Sequence, residues 1–155
     1  MGDSVTKRQF WSGDELKPHS NTTYMYVVPS NIEGKLGAGF AGYAVKHLGA
    51  IYGQSEGLSG ERCYLLPTKS LKTNKALSHE AIRAAIQRLY DTARRMPDCK
   101  FFVPYTAQGK NLIYMSTQDI ISLFLEVEDV PINIVFHNSV KGQVHQHLSR
   151  KHKMK

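Results

Sequence analysis

The chain has 155 residues, 41% of them hydrophobic and 10% aromatic, enough for a real core in a single domain. No apolar run approaches the roughly 20 residues of a membrane span, and the N-terminus lacks the apolar stretch of a signal peptide. The formal charge of +7 is concentrated at one end: residues 141–155 hold five Lys/Arg and no Asp/Glu, leaving 15 basic against 13 acidic residues elsewhere. The body of the chain is therefore near neutral, which argues against a domain built around nucleic acid. Cys63 and Cys99 form no C-x-x-C pair and are expected as free thiols of a reducing cytoplasm.

In chain order, residues 1–22 are polar and without period, an arm or edge strand whose Phe10 and Trp11 can dock on the body. "TYMYVVP", Thr23 to Pro29, predicts a strand. A glycine loop leads to a helix over Gly39 to Leu48, with Ala41, Ala44, Val45 and Leu48 on one face and Gly49 as its C-cap. A second glycine segment, "AIYGQSEGLSG", precedes a strand over Arg62 to Pro67 and a polar connector, "TKSLKTNKAL". Ser78 opens a helix to Met96, stopped by Pro97, with Ile82, Ala85, Ile86, Leu89, Tyr90 and Ala93 as its apolar stripe. A strand over Cys99 to Tyr105 follows, then a loop, then a helix from a capping box at Ser116 to about Leu125. The last strand covers Pro131 to His137, and residues 141–155 form a basic tail. The order β-α-β-α-β-α-β predicts an α/β domain over residues 23–140 with a mostly parallel sheet.

The loop "SNIEGKLGAGFAGYAVKHLG" places five glycines in Ser30 to Gly49, with Gly37, Gly39 and Gly42 spelling G-x-G-x-x-G. It is not a P-loop, because Leu36 follows Gly34-Lys35 where a hydroxyl would hold magnesium. A dinucleotide fingerprint would start directly after the strand and would be followed by an acid at the end of the next one. Here Ser30 to Leu36 intervene and the next strand ends in Pro67-Thr68-Lys69, so only a 2′-phosphorylated dinucleotide with Lys69 as its partner would fit. What remains is a backbone mechanism. Glycines expose N–H groups, and a helix beginning near Gly39 adds partial positive charge, both favouring a phosphate. The alternative is a surface loop with one packing glycine.

The whole string from Val27 to Lys69 resembles the core of a macrodomain-like family of bacterial and phage proteins: a strand, an asparagine, a Gly-Ala-Gly loop, a "GAIYGQSEGLSG" segment and a strand ending in "LPTK". The resemblance implies a three-layer α/β/α sandwich that binds ADP-ribose or a related NAD-derived nucleotide as ligand, with no cofactor or metal. It implies that Asn31 approaches the distal ribose. Gly34, Gly37, Ala38, Gly39 and Phe40 would surround that ribose and the phosphates. Gly53, Gly57 and Gly60 match the second glycine segment, and Thr106, Ala107, Gln108, Gly109 and Lys110 would clasp the diphosphate. Two departures stand out. Leu36 replaces a histidine common in the family, and Gly109 is the lone glycine of the later loop.

Among the remaining residues, Glu33 and Glu56 are the candidates to activate a water, against solvated loop carboxylates. Tyr105, at a strand end beside the later loop, is the candidate to stack on an adenine. His47 is expected to be structural. His137, His145, His147 and His152 lack a cysteine or acid partner and are expected in a flexible tail rather than at a metal. The leading expectation is a cytoplasmic nucleotide-binding protein, in a phage setting one that sequesters or processes an immune signal or an ADP-ribosylation product. The alternatives are a hydrolase of ADP-ribosyl esters, ADP-ribose 1″-phosphate or a cyclic relative, and a nucleic-acid or protein-binding module working through the basic tail.

Overall fold

The computed structural model of the chain describes residues 8–12, 24–108 and 113–153. The first strand, β1, is Phe10–Trp11; the rest of the expected N-terminal arm lies outside the described residues. β2 (Tyr24–Asn31) leads to α1, which is α-helical over Gly39–Tyr43 and π-helical over Ala44–Leu48. Then come β3 (Gly57–Ser59), β4 (Cys63–Ser70), β5 (Lys75–Ala76), α2 (His79–Arg95), β6 (Lys100–Phe102), α3 (Thr117–Val127), β7 (Ile134–His137), a 3-10 turn (Asn138–Val140) and α4 (Lys141–Lys153).

The sheet has the order β1-β7-β6-β2-β4-β3, with β5 also paired to β4. β1, β7, β6, β2 and β4 are mutually parallel; β3 and β5 are antiparallel to β4. The central strands are near-continuous apolar runs because both faces are covered. In β2, Met25 and Val27 face one hydrophobic cluster while Tyr26 and Val28 face the other. The larger cluster lies under α2, α3 and α4; the smaller lies under α1. The result is an α/β/α sandwich, and each buried Leu, Ile or Phe contributes about 1.5–3 kcal/mol of transfer energy.

Local rules explain the helices. Ser78 caps α2 by accepting a hydrogen bond from the Ala81 N–H at 3.1 Å, and the expected stripe from Ile82 to Ala93 is buried. Ser116 caps α3 through the Asp119 N–H at 3.0 Å. Gly49, with φ 83°, closes α1 in the left-handed conformation.

Three expectations need correction. The strand expected over Cys99 to Tyr105 is only Lys100–Phe102 by ladder, because Val103 donates once more, to the Val135 carbonyl, and Pro104 then has no N–H to give. The connector after β4 is a hairpin, turning at Asn74 (φ 53°) into β5. The basic segment from Lys141 is not a flexible tail but helical to Lys153. Its Val144 is fully buried, Val140 nearly so, and Leu148 packs on the same cluster. That four-residue spacing is an apolar stripe that the surrounding charge obscures. Phe10 packs edge-on against His145 of this helix and pairs in register with Phe136.

Two buried side chains join the layers. The Arg8 guanidinium donates to the carbonyls of Val130, Pro131 and Ile134. Asn133 Nδ2 reaches the carbonyls of Ala93, Met96 and Cys99, tying the end of α2 to the start of β6. Asn133→Ala should leave these carbonyls short of a donor and cost about 1–3 kcal/mol, measured as a lower denaturation midpoint with unchanged slope.

Candidate functional site

Because β2, β4, β6 and β7 are parallel, their C-terminal ends meet at one edge, where ligands gather in α/β sheets. A cavity of about 380 Å³ opens there. Pro29 and Asn31 of β2, Lys35, Gly37 and Ala38 of the following loop, and Gly39, Phe40 and Ala41 of α1 form one wall. Tyr52, Lys69 and Leu71 form the next, and Pro104, Tyr105, Thr106 and Ile113 the last.

The first wall is built around Asn31, which is 4% exposed. Its Oδ1 accepts from the Lys35 N–H and its Nδ2 donates to the Lys35 carbonyl, both at 2.9 Å. The Asn31 amide thus closes the turn as a backbone pair would, and retains one N–H and one lone pair for another partner. Leu36, 1% exposed, anchors the loop in the smaller cluster with Ala44 and Leu48. The first-turn amides of α1 follow at once. Ala38 stands at the N-cap with no side-chain cap, so these N–H groups, which no helix bond can satisfy, receive no cap from Ala38.

The second glycine segment serves the first. Gly34 has φ +73°, and a Cβ there would sit 2.4 Å from the Gly53 carbonyl oxygen; the Gly53 N–H donates back to Gly34 O at 2.9 Å. Ser30 Oγ donates to the Ser55 carbonyl at 2.5 Å, and Gln54 Nε2 reaches the carbonyls of Glu56 and Leu58. Gly34, Gly53 and Gly57, expected at the ligand, do not line the cavity; the first two hold loop to loop.

The two candidate carboxylates are also committed elsewhere. Glu33 accepts from the Leu71 N–H, the Ser70 hydroxyl and the Lys72 N–H. These donors, Leu71 first, hold its carboxyl at about 2, far below the usual range and too acidic for a base. Glu56 makes a two-pronged pair with Arg88, at 2.5 and 2.9 Å. Neither lines the cavity.

On the far wall, the peptide joining Thr106 and Ala107 is clamped at both ends. Thr117 Oγ1 donates to its carbonyl and its N–H donates to Ser139 Oγ, each at 2.8 Å. Ser139 Oγ lies 2.7 Å from His137 Nδ1, which also accepts the Ser139 N–H. The Ala107 amide, expected to bind phosphate, is therefore spent on Ser139. Gln108 is exposed and off the cavity, and Gly109 and Lys110 lie outside the described residues. Tyr105 does line the cavity, but a ring only 2% exposed and set edge-on against Phe124 offers no platform for a base. The exposed aromatic of the wall is Tyr52.

The structure thus brings Asn31, Gly37, Ala38, Gly39, Phe40, Tyr105 and Thr106 to one cavity. Sequence reasoning passed over Lys35 and gave Lys69 only a minor part. Both line the cavity, and Lys69 Nζ also lies 5.5 Å above the Tyr114 ring. The signal was available: Lys69 is the next-to-last residue of β4 and Lys35 follows the turn after β2, both at the carboxyl edge of the sheet.

No protein-family model matches the chain, and no curated protein does. Solved structures share its fold. The macrodomain of Mycobacterium tuberculosis DarG is 20% identical with a TM-score of 0.53, over 83% of this chain and 95% of that one. Thermosipho africanus DarTG in complex with ADP-ribose is 14% identical with a TM-score of 0.52, over 88% of this chain; the chain spans 39% of that protein. The chain has the macrodomain fold.

The Glu33 anchor gives a pH signature. Its folded pKa of about 2 lies below the ordinary carboxylate value of 4.5, so its stabilisation is complete above about pH 4.5 and is lost as pH falls toward 2. Thermal unfolding against pH should show wild type ahead of Glu33→Gln by a constant margin at neutral pH, with the margin closing through that window.

Proposed function

We propose that the chain binds an ADP-ribose-like, NAD-derived nucleotide in this cavity. The observation that carries the reading is the uncapped start of α1 at the cavity wall, flanked by Lys35 and Lys69. Backbone N–H groups over Gly37 to Phe40 receive the diphosphate, and a Cβ at Gly37 would meet nothing within 4 Å, leaving that amide open to approach. The remaining N–H of Asn31 donates to a ribose hydroxyl, and Tyr52 or Phe40 lies against the base. A protein of the same fold, DarTG, is known in complex with ADP-ribose. No Asp, Glu or His is among the described residues lining the cavity; its ionisable side chains are those of Lys35, Lys69, Tyr52 and Tyr105, and Leu36 points into the core. The phage setting, with withdrawal of an immune signal or of an ADP-ribosylation product, rests on the sequence resemblance alone.

The basic-tail alternative is less well supported. Its residues belong to α4, whose Val144 is part of the core, so the segment is structural first.

Calorimetric titration with ADP-ribose should give micromolar or tighter binding. Lys35→Ala removes a charge whose backbone, not side chain, holds the turn, and should weaken binding ~10-fold, about 1.4 kcal/mol, with a shallower salt dependence. No heat with any ADP-ribose derivative overturns the proposal.

A further inference from the structure

One residue beside the cavity holds a backbone conformation that its side chain disfavours. Tyr114 has φ 58°, in the left-handed region that bulky residues seldom adopt and glycine adopts freely. Such an outlier points to a role for the side chain it presents. The neighbours on both sides are anchored: Ile113 is buried in the larger cluster and Met115 packs against it. The Tyr114 ring between them is 54% exposed. It stands over Lys69, whose Nζ lies 5.5 Å from the ring centroid. That is inside the roughly 6 Å within which a cation is drawn to an aromatic face.

Lys69 is turned toward the cavity by strand alternation. Thr68 and Ser70 are buried, while Lys69 and Leu71, two residues apart, both line the cavity. The ladder between β2 and β4 steps from Ser30 opposite Pro67 to Asn31 opposite Lys69, which brings Lys69 abreast of Asn31. Its backbone is held on both sides: the Ile32 N–H donates to its carbonyl at 3.1 Å, and β5 pairs with it at Ala76. What the backbone does not fix is the long flexible stem, and a lysine ordered only by its ligand loses rotamer entropy on binding. We infer that Tyr114 is a positioning residue of the nucleotide site, holding the Lys69 ammonium in place to meet the phosphates of the ligand. The inference rests on the cavity being the nucleotide site. Tyr114 is not among the described residues lining the cavity, so it acts through Lys69 and not by touching the ligand. The two contacts are compatible, because an ammonium has three N–H donors and can lie on a ring while donating to a phosphate.

The test is a double-mutant cycle in the full chain, read by calorimetry with ADP-ribose and by chemical denaturation without it. Tyr114→Leu keeps the left-handed backbone and removes the ring. It should lower ADP-ribose affinity about two- to fivefold while leaving the denaturation midpoint nearly unchanged. Tyr114→Phe keeps an aromatic face and should restore most of that affinity. In a Lys69→Met background, Tyr114→Leu should cost nothing further, because the ammonium it positions is gone. Tyr114→Gly separates the ring from the backbone: its midpoint should not fall below that of Tyr114→Leu, since glycine suits the left-handed conformation, and its affinity should fall as far. An equal loss with and without the Lys69 ammonium would overturn the inference. So would wild-type affinity in Tyr114→Leu or Tyr114→Gly, or a Tyr114→Phe variant as weak as Tyr114→Leu. Wild-type protein that binds no ADP-ribose defeats the nucleotide reading and this inference with it; wild-type binding with no coupling between Tyr114 and Lys69 defeats only the inference.

Discussion

The backbone contact between Gly34 and Gly53 is the constraint on which the cavity depends. Two loops from different parts of the chain approach until a methyl group would not fit between them. That approach fixes the turn after β2, and other bonds secure it from both sides. Asn31 closes the turn within, Glu33 ties it to the strand end at Ser70 and Leu71, and Ser30 reaches the second loop. Glu56 then fastens the second loop to α2 through Arg88. None of these contacts consumes the amides at the start of α1.

This arrangement has an energetic consequence for binding. A glycine-rich loop that had to order around its ligand would lose much of the binding energy to conformational entropy. Here the loop is held before the ligand arrives. The opposite wall follows the same logic, with the Thr106–Ala107 peptide fixed by Thr117 and Ser139. The first turn of α1 packs closely on the loop before it: a Cβ at Gly42 would come 3.1 Å from the Gly37 carbonyl. What the two walls leave between them is apolar on the Pro104 and Ile113 side and cationic on the Lys35 and Lys69 side.

Much of the architecture was legible from periodicity. The stripe from Ile82 to Ala93, the serine caps at Ser78 and Ser116, and the apolar runs of β2 and β4 each carry their own local signal, and the parallel order followed from alternation of strand and helix. The short edge strands β3 and β5 were not legible, because two or three residues carry no period and owe their pairing to β4. α4 was misjudged because its charge outweighed its two apolar positions, Val144 and Leu148. The site was legible as a region but not residue by residue. The glycines of both segments look alike in sequence, yet Gly34 serves loop packing while Gly37 faces open space. The same blindness applied to Glu33: a loop carboxylate beside a glycine run can be a base or an anchor, and only its partners at Ser70 and Leu71, nearly forty residues on, decide.

The central claim is that the ligand lies on the start of α1 and not on the second glycine segment. Backbone amide NMR during titration with ADP-ribose tests it most directly. The account predicts large shifts at Gly37, Ala38, Gly39 and Phe40, with Gly53 and Gly57 nearly unmoved. Strong shifts at Gly53 and Gly57 with the α1 amides silent would contradict it.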